Sequence, residues 1–340
     1  MKIWYKKAAW SNRRVRAVLA RTDPESVQSI AVIRHSALGD MIHTRPFLVE
    51  LRRAFPNAKI TISIISSYSR GVPEDLVDRI HLVHRRSSKK QNIFQEIKAI
   101  RELGYHDLMF DLCDTPRSRV IIALNPAKAK IGFTSHWLVR TTVMDINVFR
   151  SDLVFEADML LQLLNILGIK TSYPPDYELK TAKKVQENKN IVYFPSASDP
   201  ARYWDEERVV MLITMMSSQY QDYRHYVLKG IGKEEKTDSI VDKLKTFENV
   251  EAIEIEDLSE TIEFIGQASL IISNDTSIRH LAIAVGTPSV GIYFGSELGS
   301  TPFRYWPRWG SHEAAIEIDG SQPSVDNVMQ CCRRLLGQSR

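Results

Sequence analysis

Apolar positions fall along this chain in short runs separated by helical periods. Ser29 to Arg34 (SIAVIR) is a β-rich run, and Ala37-Leu38-Gly39-Asp40 forms a turn before a helical pattern from Ile42 to Phe55. Lys59 to Ile65 reads as a second strand, Phe94 to Leu103 as a helix and Asp107 to Leu112 as a third strand. Strands alternating with helices imply a parallel sheet, because parallel neighbours need crossover connections, which then cover both faces. Asp152 to Leu167 reads as one long helix. The following stretch is polar, contains Pro174 and Pro175 and lacks apolar periodicity, so a linker is expected at 172–189.

The second half repeats the pattern. Strands are expected at Asn190 to Phe194, Tyr223 to Lys229, Ala268 to Ser273 and Ser289 to Tyr293. Helices are expected at Glu206 to Gln219, Lys233 to Thr246 and Thr276 to Val285, with a last one from about Pro323 to Leu336. The fold class is therefore α/β, with two doubly wound domains at 29–171 and 190–322 facing a central cleft, and a C-terminal helix within 323–340.

Composition narrows the class. At 340 residues, two domains are the default, and 44% hydrophobic with 25% charged residues is the balance of a globular chain. No apolar run approaches the roughly 20 residues that cross a bilayer. Three cysteines, two of them adjacent at Cys331 and Cys332, form neither a disulfide framework nor a C-x-x-C metal site, so a cytoplasmic location is expected. The net charge of +4 is concentrated at the N-terminus. Residues 1–28 carry Lys2, Lys6, Lys7, Arg13, Arg14, Arg16 and Arg21 against Asp23 and Glu25, interleaved with Trp4, Tyr5, Trp10, Val15, Val18 and Leu19. Such an extension suits either a helix lying on an anionic membrane surface or a solvated basic tail. It lacks the apolar core of a signal peptide. Nothing in the pattern points to nucleic acid, and a monomer is the simpler expectation.

Four segments carry candidate chemistry. After the strand ending at Ser273 come Asn274-Asp275-Thr276-Ser277 and then a helix with Arg279 and His280. A helix N-terminus at the carboxyl end of a parallel strand offers free N–H groups to a phosphate or diphosphate. Thr276 and Ser277 would add hydroxyls. Asp275 would repel phosphate, so it is either a sugar-hydroxyl acceptor or a helix cap. His280, on the same helical face as Thr276, is either a phosphate neighbour or structural. At the first strand, Asp40 is either a general base at the sheet mouth or a cap. The hydroxyl-rich loop with Ser196, Ser198 and Arg202 suits a diphosphate clamp. In Gly230-Ile231-Gly232-Lys233-Glu234-Glu235 a carboxylate could hold ribose hydroxyls or lie on the surface as an ordinary charge. The sequence contains no Walker motif, no G-x-G-x-x-G, no G-x-S-x-G and no Asp-x-Asp, so a metal-free mechanism without a cofactor is expected.

Taken together these residues resemble glycosyltransferase family 9, the ADP-heptose:lipopolysaccharide heptosyltransferases. The resemblance is carried by Leu38-Gly39-Asp40 with His43-Thr44 and Pro46, by Asp107 to Asp111 with Ile131-Gly132-Phe133, by Ser196 to Trp204, and by Asp275-Thr276, His280-Leu281-Ala282 and Gly286-Thr287-Pro288. It covers roughly residues 29 to 335 and implies a GT-B fold of two Rossmann-like domains. It further implies an inverting displacement with Asp40 as base. The nucleotide-sugar donor, ADP-heptose or another, would meet Ser196, Ser198, Arg202, Glu234 (or Glu235), Asp275, Thr276, Ser277 and His280. A Kdo-bearing lipid A acceptor at the inner membrane face would meet Ser36, Arg117 and Arg119. A nucleotide-sugar epimerase and a silent nucleotide-sugar-binding protein are the alternatives. This chain departs from the family pattern in Arg202 for lysine, Asp205 for proline and Ser277 for glycine.

Overall fold

The computed structural model describes residues 9–84, 93–179, 181–182, 189–197, 202–230, 232, 237–295, 301–317 and 319–337. Two compact units divide the chain: Met1–Ser151 with Glu156–Glu178, and Asp152–Phe155 with Leu179–Arg340.

The first unit contains β1 (Ala9–Ser11), α1 (Arg13–Ala20), β2 (Ser29–Ile33), α2 (Leu38–Ala54), β3 (Lys59–Ile65), β4 (Arg79–Val83) and α3 (Ile93–Arg101). It continues through β5 (His106–Asp111), α4 (Pro116–Leu124), β6 (Ala127–Phe133), α5 (Trp137–Thr142), β7 (Ile146–Val148) and α6 (Glu156–Asn165). Its seven-stranded sheet runs β1-β7-β6-β5-β2-β3-β4. All pairs are parallel except β1 with β7. Ile30 to Ile33 are fully buried, as are Met109 and Phe110, which is why these central strands read as continuous apolar runs rather than as alternating ones.

The second unit contains β8 (Asn190–Phe194), α7 (Glu206–Gln219), β9 (Arg224–Lys229), α8 (Asp238–Leu244), β10 (Val250–Glu254) and α9 (Leu258–Gln267). It continues through β11 (Leu270–Asn274), α10 (Ser277–Val285), β12 (Ser289–Ile292), α11 (Thr301–Tyr305), β13 (His312–Ala315) and α12 (Val325–Gly337). Its six strands run β10-β9-β8-β11-β12-β13, all parallel. The core packs α7 and α12 on the sheet through Leu212, Ile213, Val328, Met329, Cys332 and Leu335.

Leaving β1 aside, the two sheets share one strand order. Counted from β2 or from β8 it is 3-2-1-4-5-6. The order reverses between the first and fourth strands, where the loops leave in opposite directions and open a crevice at the carboxyl ends. In the first unit that point lies between β2 and β5; in the second it lies between β8 and β11.

The helix expected from Asp152 to Leu167 is shorter, α6 spanning Glu156–Asn165 while Asp152–Phe155 group with the second unit, and three further findings differ from the sequence reading. First, the described part of the N-terminal extension is neither a solvated tail nor an apolar face turned outward. β1 pairs with β7 through Ala9↔Val148 and Ser11↔Ile146, and Asn12 caps α1 by accepting from the Val15 N–H at 2.7 Å. Val15 and Leu19, one turn apart on the same helical face, are each 1% exposed. Burying each is worth roughly 1.5–3 kcal/mol, which holds this segment to the fold. Second, residues 172–178 of the expected linker are tied to α2. Ser172 N–H donates to Glu50, Arg53 pairs with Asp176 and Glu178, and the buried Tyr177 meets His43 and Arg45. Third, α2 begins at Leu38 rather than Ile42, which places Asp40 inside the helix.

Candidate functional site

At the reversal point of the first unit, β2 ends in Ile33 and α2 starts five residues on at Leu38, with Ala37 as the N-cap and no side chain capping it. Asp40 is thus a first-turn residue and not a cap. A carboxylate there faces the positive end of the helix dipole. Its side chain is 24% exposed, with Oδ1 3.5 Å from Nη2 of Arg34. Arg34 is buried and donates to the Leu112 carbonyl, the Asp40 carbonyl and Glu156 Oε1, each at 3.0 Å. Glu156, 1% exposed, also accepts from Arg150 on both oxygens at 2.7 Å. Burial opposes the Arg34 charge, yet Asp40 and Glu156 more than offset it and hold the guanidinium above its ordinary value. Two arginines and two carboxylates therefore form a balanced cluster, with Asp40 as its partly exposed carboxylate.

Beside it, burial pushes His35 down to about 4, with the Arg117 and His81 charges adding to the effect, so its imidazole is neutral near pH 7. Ser36 Oγ is buried and has no hydrogen-bond partner among the described residues.

The neighbouring loop leaves β5 at Asp111. Burial pushes this carboxyl up to about 6, although it accepts from the Cys113 N–H, the Asp114 N–H and the Ser118 hydroxyl. Thr115 and Ser118 close a capping box that starts α4. Arg117 and Arg119 follow on that helix, so Ser36, Asp40, Arg117 and Arg119 stand at the carboxyl ends of adjacent strands. Both arginines already have partners. Arg117 donates to the His84 carbonyl and pairs with Glu96 at 3.2 Å, and Arg119 pairs with Asp114 at 2.7 Å. An anionic acceptor would have to compete with those carboxylates.

At the reversal point of the second unit, Asn274 Nδ2 donates to the Pro195 carbonyl at 2.6 Å and so joins the loop after β11 to the loop after β8. Ser196 is 2% exposed, and its Oγ has no partner among the described residues. Thr276, and not Asp275, occupies the N-cap of α10. Its hydroxyl meets Ser273 Oγ at 2.8 Å and makes no capping hydrogen bond to the helix. The Asp275 side chain, 9% exposed, lies between Arg202 and His280, each 3.7 Å away. The His280 ring is buried against Tyr305, with centroids 4.8 Å apart. Ser277 is the first residue of α10. Asp275, Thr276, Ser277, His280 and Arg202 are therefore brought together, while Ser198, Glu234 and Glu235 lie outside the described residues.

The model of glycosyltransferase family 9 (heptosyltransferase) matches residues 94–334. The chain belongs to this family. Lipopolysaccharide heptosyltransferase 3 of Escherichia coli is 23% identical over 308 residues, spanning 81% of this chain and 84% of that protein. The E. coli heptosyltransferase WaaC, solved with ADP-2-deoxy-2-fluoro heptose, superposes with a TM-score of 0.70 at 17% identity over 90% of this chain and 99% of its own. A family 9 glycosyl transferase from Veillonella parvula gives 0.69 at 19% identity over 93% and 99%. The fold is the GT-B type of these glycosyltransferases, with two parallel-sheet domains, and the protein is a glycosyltransferase.

Sequence reasoning passed over several residues of this candidate site. Arg34 stood at the end of the first strand run without a role, and its partner Glu156, which Arg150 also bonds, is more than a hundred residues away in the chain. Asn274 was quoted in the segment after the Ser273 strand without a role, although its amide is what ties the two loops together. Tyr305 had no motif to mark it. The signal that could have found Arg34 is its position: a charged residue directly after a buried strand needs a partner nearby.

Proposed function

We propose that this family 9 enzyme is an inverting, metal-independent transferase that moves heptose from ADP-heptose to the Kdo-bearing inner core of lipopolysaccharide. In this reading Asp40 accepts the proton of the acceptor hydroxyl as that oxygen attacks the anomeric carbon. The bond from the anomeric carbon to the diphosphate breaks, and the nucleoside diphosphate leaves with its electron pair. The uncapped N-terminus of α10, with Thr276, Ser277 and Arg202, would stabilise the leaving diphosphate, and Asp275 would accept hydrogen bonds from the sugar. Ser36, Arg117 and Arg119 would meet the acidic acceptor. The observation that carries the reading is the position of Asp40: a carboxylate held in an uncapped first helical turn, partly exposed, above a buried arginine. The relatives named above support the donor and acceptor. Metal independence rests on the missing Asp-x-Asp.

The test is transfer to Kdo-lipid A with ADP-heptose and with other ADP-, UDP- and GDP-sugars, in buffer with and without EDTA. ADP release matched by glycosylated acceptor, unaffected by EDTA, is the expected outcome. A UDP-sugar preference would change the donor, and an epimerised sugar without acceptor glycosylation would replace the proposal with the epimerase reading.

A further inference from the structure

Arg279 is the third residue of α10 and is fully buried. A cation in the first turn of a helix meets the positive end of the backbone dipole, which is the unfavourable arrangement. Among the described residues its acceptors are all neutral. Nη1 donates to the Tyr293 hydroxyl and to the Tyr305 carbonyl at 2.6 Å, and Nη2 to the Glu313 carbonyl at 3.3 Å. The guanidinium also lies 5.1 Å from the centroid of the Tyr293 ring. Nε has no hydrogen-bond partner among the described residues. The fold makes room for it: a Cβ at Gly291, within β12, would fall 2.6 Å from Cζ of Arg279 and closer still to Nε. Glycine is required there by that approach.

A buried guanidinium bonded to neutral acceptors is costly unless an anion comes within reach of its field. The same residue organises the surroundings of His280. By holding the Tyr305 carbonyl it fixes the segment whose ring packs on His280, and His280 in turn lies 3.7 Å from Asp275.

We propose that Arg279 is a buried positioning residue of the diphosphate site, a fixed positive charge beneath the α10 N-terminus that also seats Tyr305 against His280. It complements the nucleoside diphosphate without touching it. The inference rests on reading the α10 N-terminus as the donor site, which supplies an anion beyond Asp275, whose charge already reaches the Tyr293 hydroxyl that Arg279 bonds. Ser196, buried in the adjoining loop with a hydroxyl that has no partner among the described residues, is a second polar group there whose hydrogen bonding a ligand would complete.

Calorimetry on the full chain tests this, with ADP, UDP and inorganic pyrophosphate as charged probes and adenosine and uridine as neutral ones. Arg279→Gln is expected to weaken binding of the diphosphates about tenfold or more, because a unit charge in a partly buried setting still acts across several ångströms. Nucleoside affinity should change by less than about threefold, which a merely structural role would not predict. Arg279→Lys keeps the charge without the fork, should retain most of the diphosphate affinity, and serves if the glutamine variant fails to fold. Wild-type diphosphate affinity in Arg279→Gln, equal losses for nucleosides and diphosphates, or a lysine variant that binds no diphosphate would each overturn the role of Arg279. A wild-type protein that binds none of the diphosphates would instead overturn the donor-site reading, and the inference with it.

Discussion

Asp40 and Asp275 each stand at the carboxyl end of one of the two strands that flank the reversal point of their sheet, the first strand in one unit and the fourth in the other, and their surroundings differ. Asp40 follows the first strand of its sheet, sits inside the first turn of α2 and is 24% exposed, and its arginine is buried below it. Asp275 follows the fourth strand of its sheet, sits just ahead of α10 and is 9% exposed, and its arginine is itself 53% exposed. In the proposed reading this difference separates two roles: the more exposed carboxylate within the turn is the base, and the one ahead of the turn, beside Arg202 and His280, accepts hydrogen bonds from the sugar.

That contrast can be broken first at its buried support. Glu156→Ala would leave Arg34 and Arg150 with Asp40 as the one remaining carboxylate of the cluster, and the loss expected for breaking the buried Arg34–Glu156 pair is about 3–5 kcal/mol. Urea unfolding would measure it, and a loss below about 1 kcal/mol would show that Asp40 does not depend on the cluster beneath it. A smaller effect is expected at Asp111, whose pKa is about 6 in the folded protein against an ordinary 3.8. A raised acid favours the folded state when protonated, so its contribution is full below about pH 4 and lost as the pH rises through 6. The stability difference between wild type and Asp111→Asn should therefore shift by about 2 to 3 kcal/mol between pH 4 and pH 7, in favour of the variant at the higher pH. A difference that is flat with pH would mean that Asp111 titrates normally. The smallest effect is expected on the other side of the comparison. Asn274→Ala removes the bond to Pro195 and should cost about 1 kcal/mol of stability and weaken nucleotide binding severalfold. Unchanged nucleotide binding would separate the two loops functionally.

Most of the architecture was legible because the central strands are covered on both faces and so stand out as apolar runs. Several of the elements passed over are shorter or more polar, although α9, with ten residues and Leu258, Ile262 and Ile265, is neither. β6 carries Lys128 and Lys130, α5 has six residues and β7 three, and β10 is an edge strand without a fully buried residue. The start of α2 was misplaced because Gly39 reads as a turn former, whereas in the folded chain it continues the helix that begins one residue earlier. The basic extension misled because charge dominates its composition while Val15 and Leu19, a turn apart, decide its packing. At the site, the carboxylates were legible from their place after strands. Their partners were not: Glu156 reaches Arg34 across 122 residues, and a helical arginine such as Arg279 gives no sign in sequence of being buried.

The division of labour between the two carboxylates is tested most directly by measuring donor binding and turnover side by side in Asp40→Asn and Asp275→Asn. Asp40→Asn should bind the nucleotide sugar with wild-type affinity while turnover falls about a hundredfold or more, the usual loss of a well-placed base. Asp275→Asn should lose donor affinity. Retained turnover in Asp40→Asn, or wild-type donor affinity in Asp275→Asn, would contradict the account.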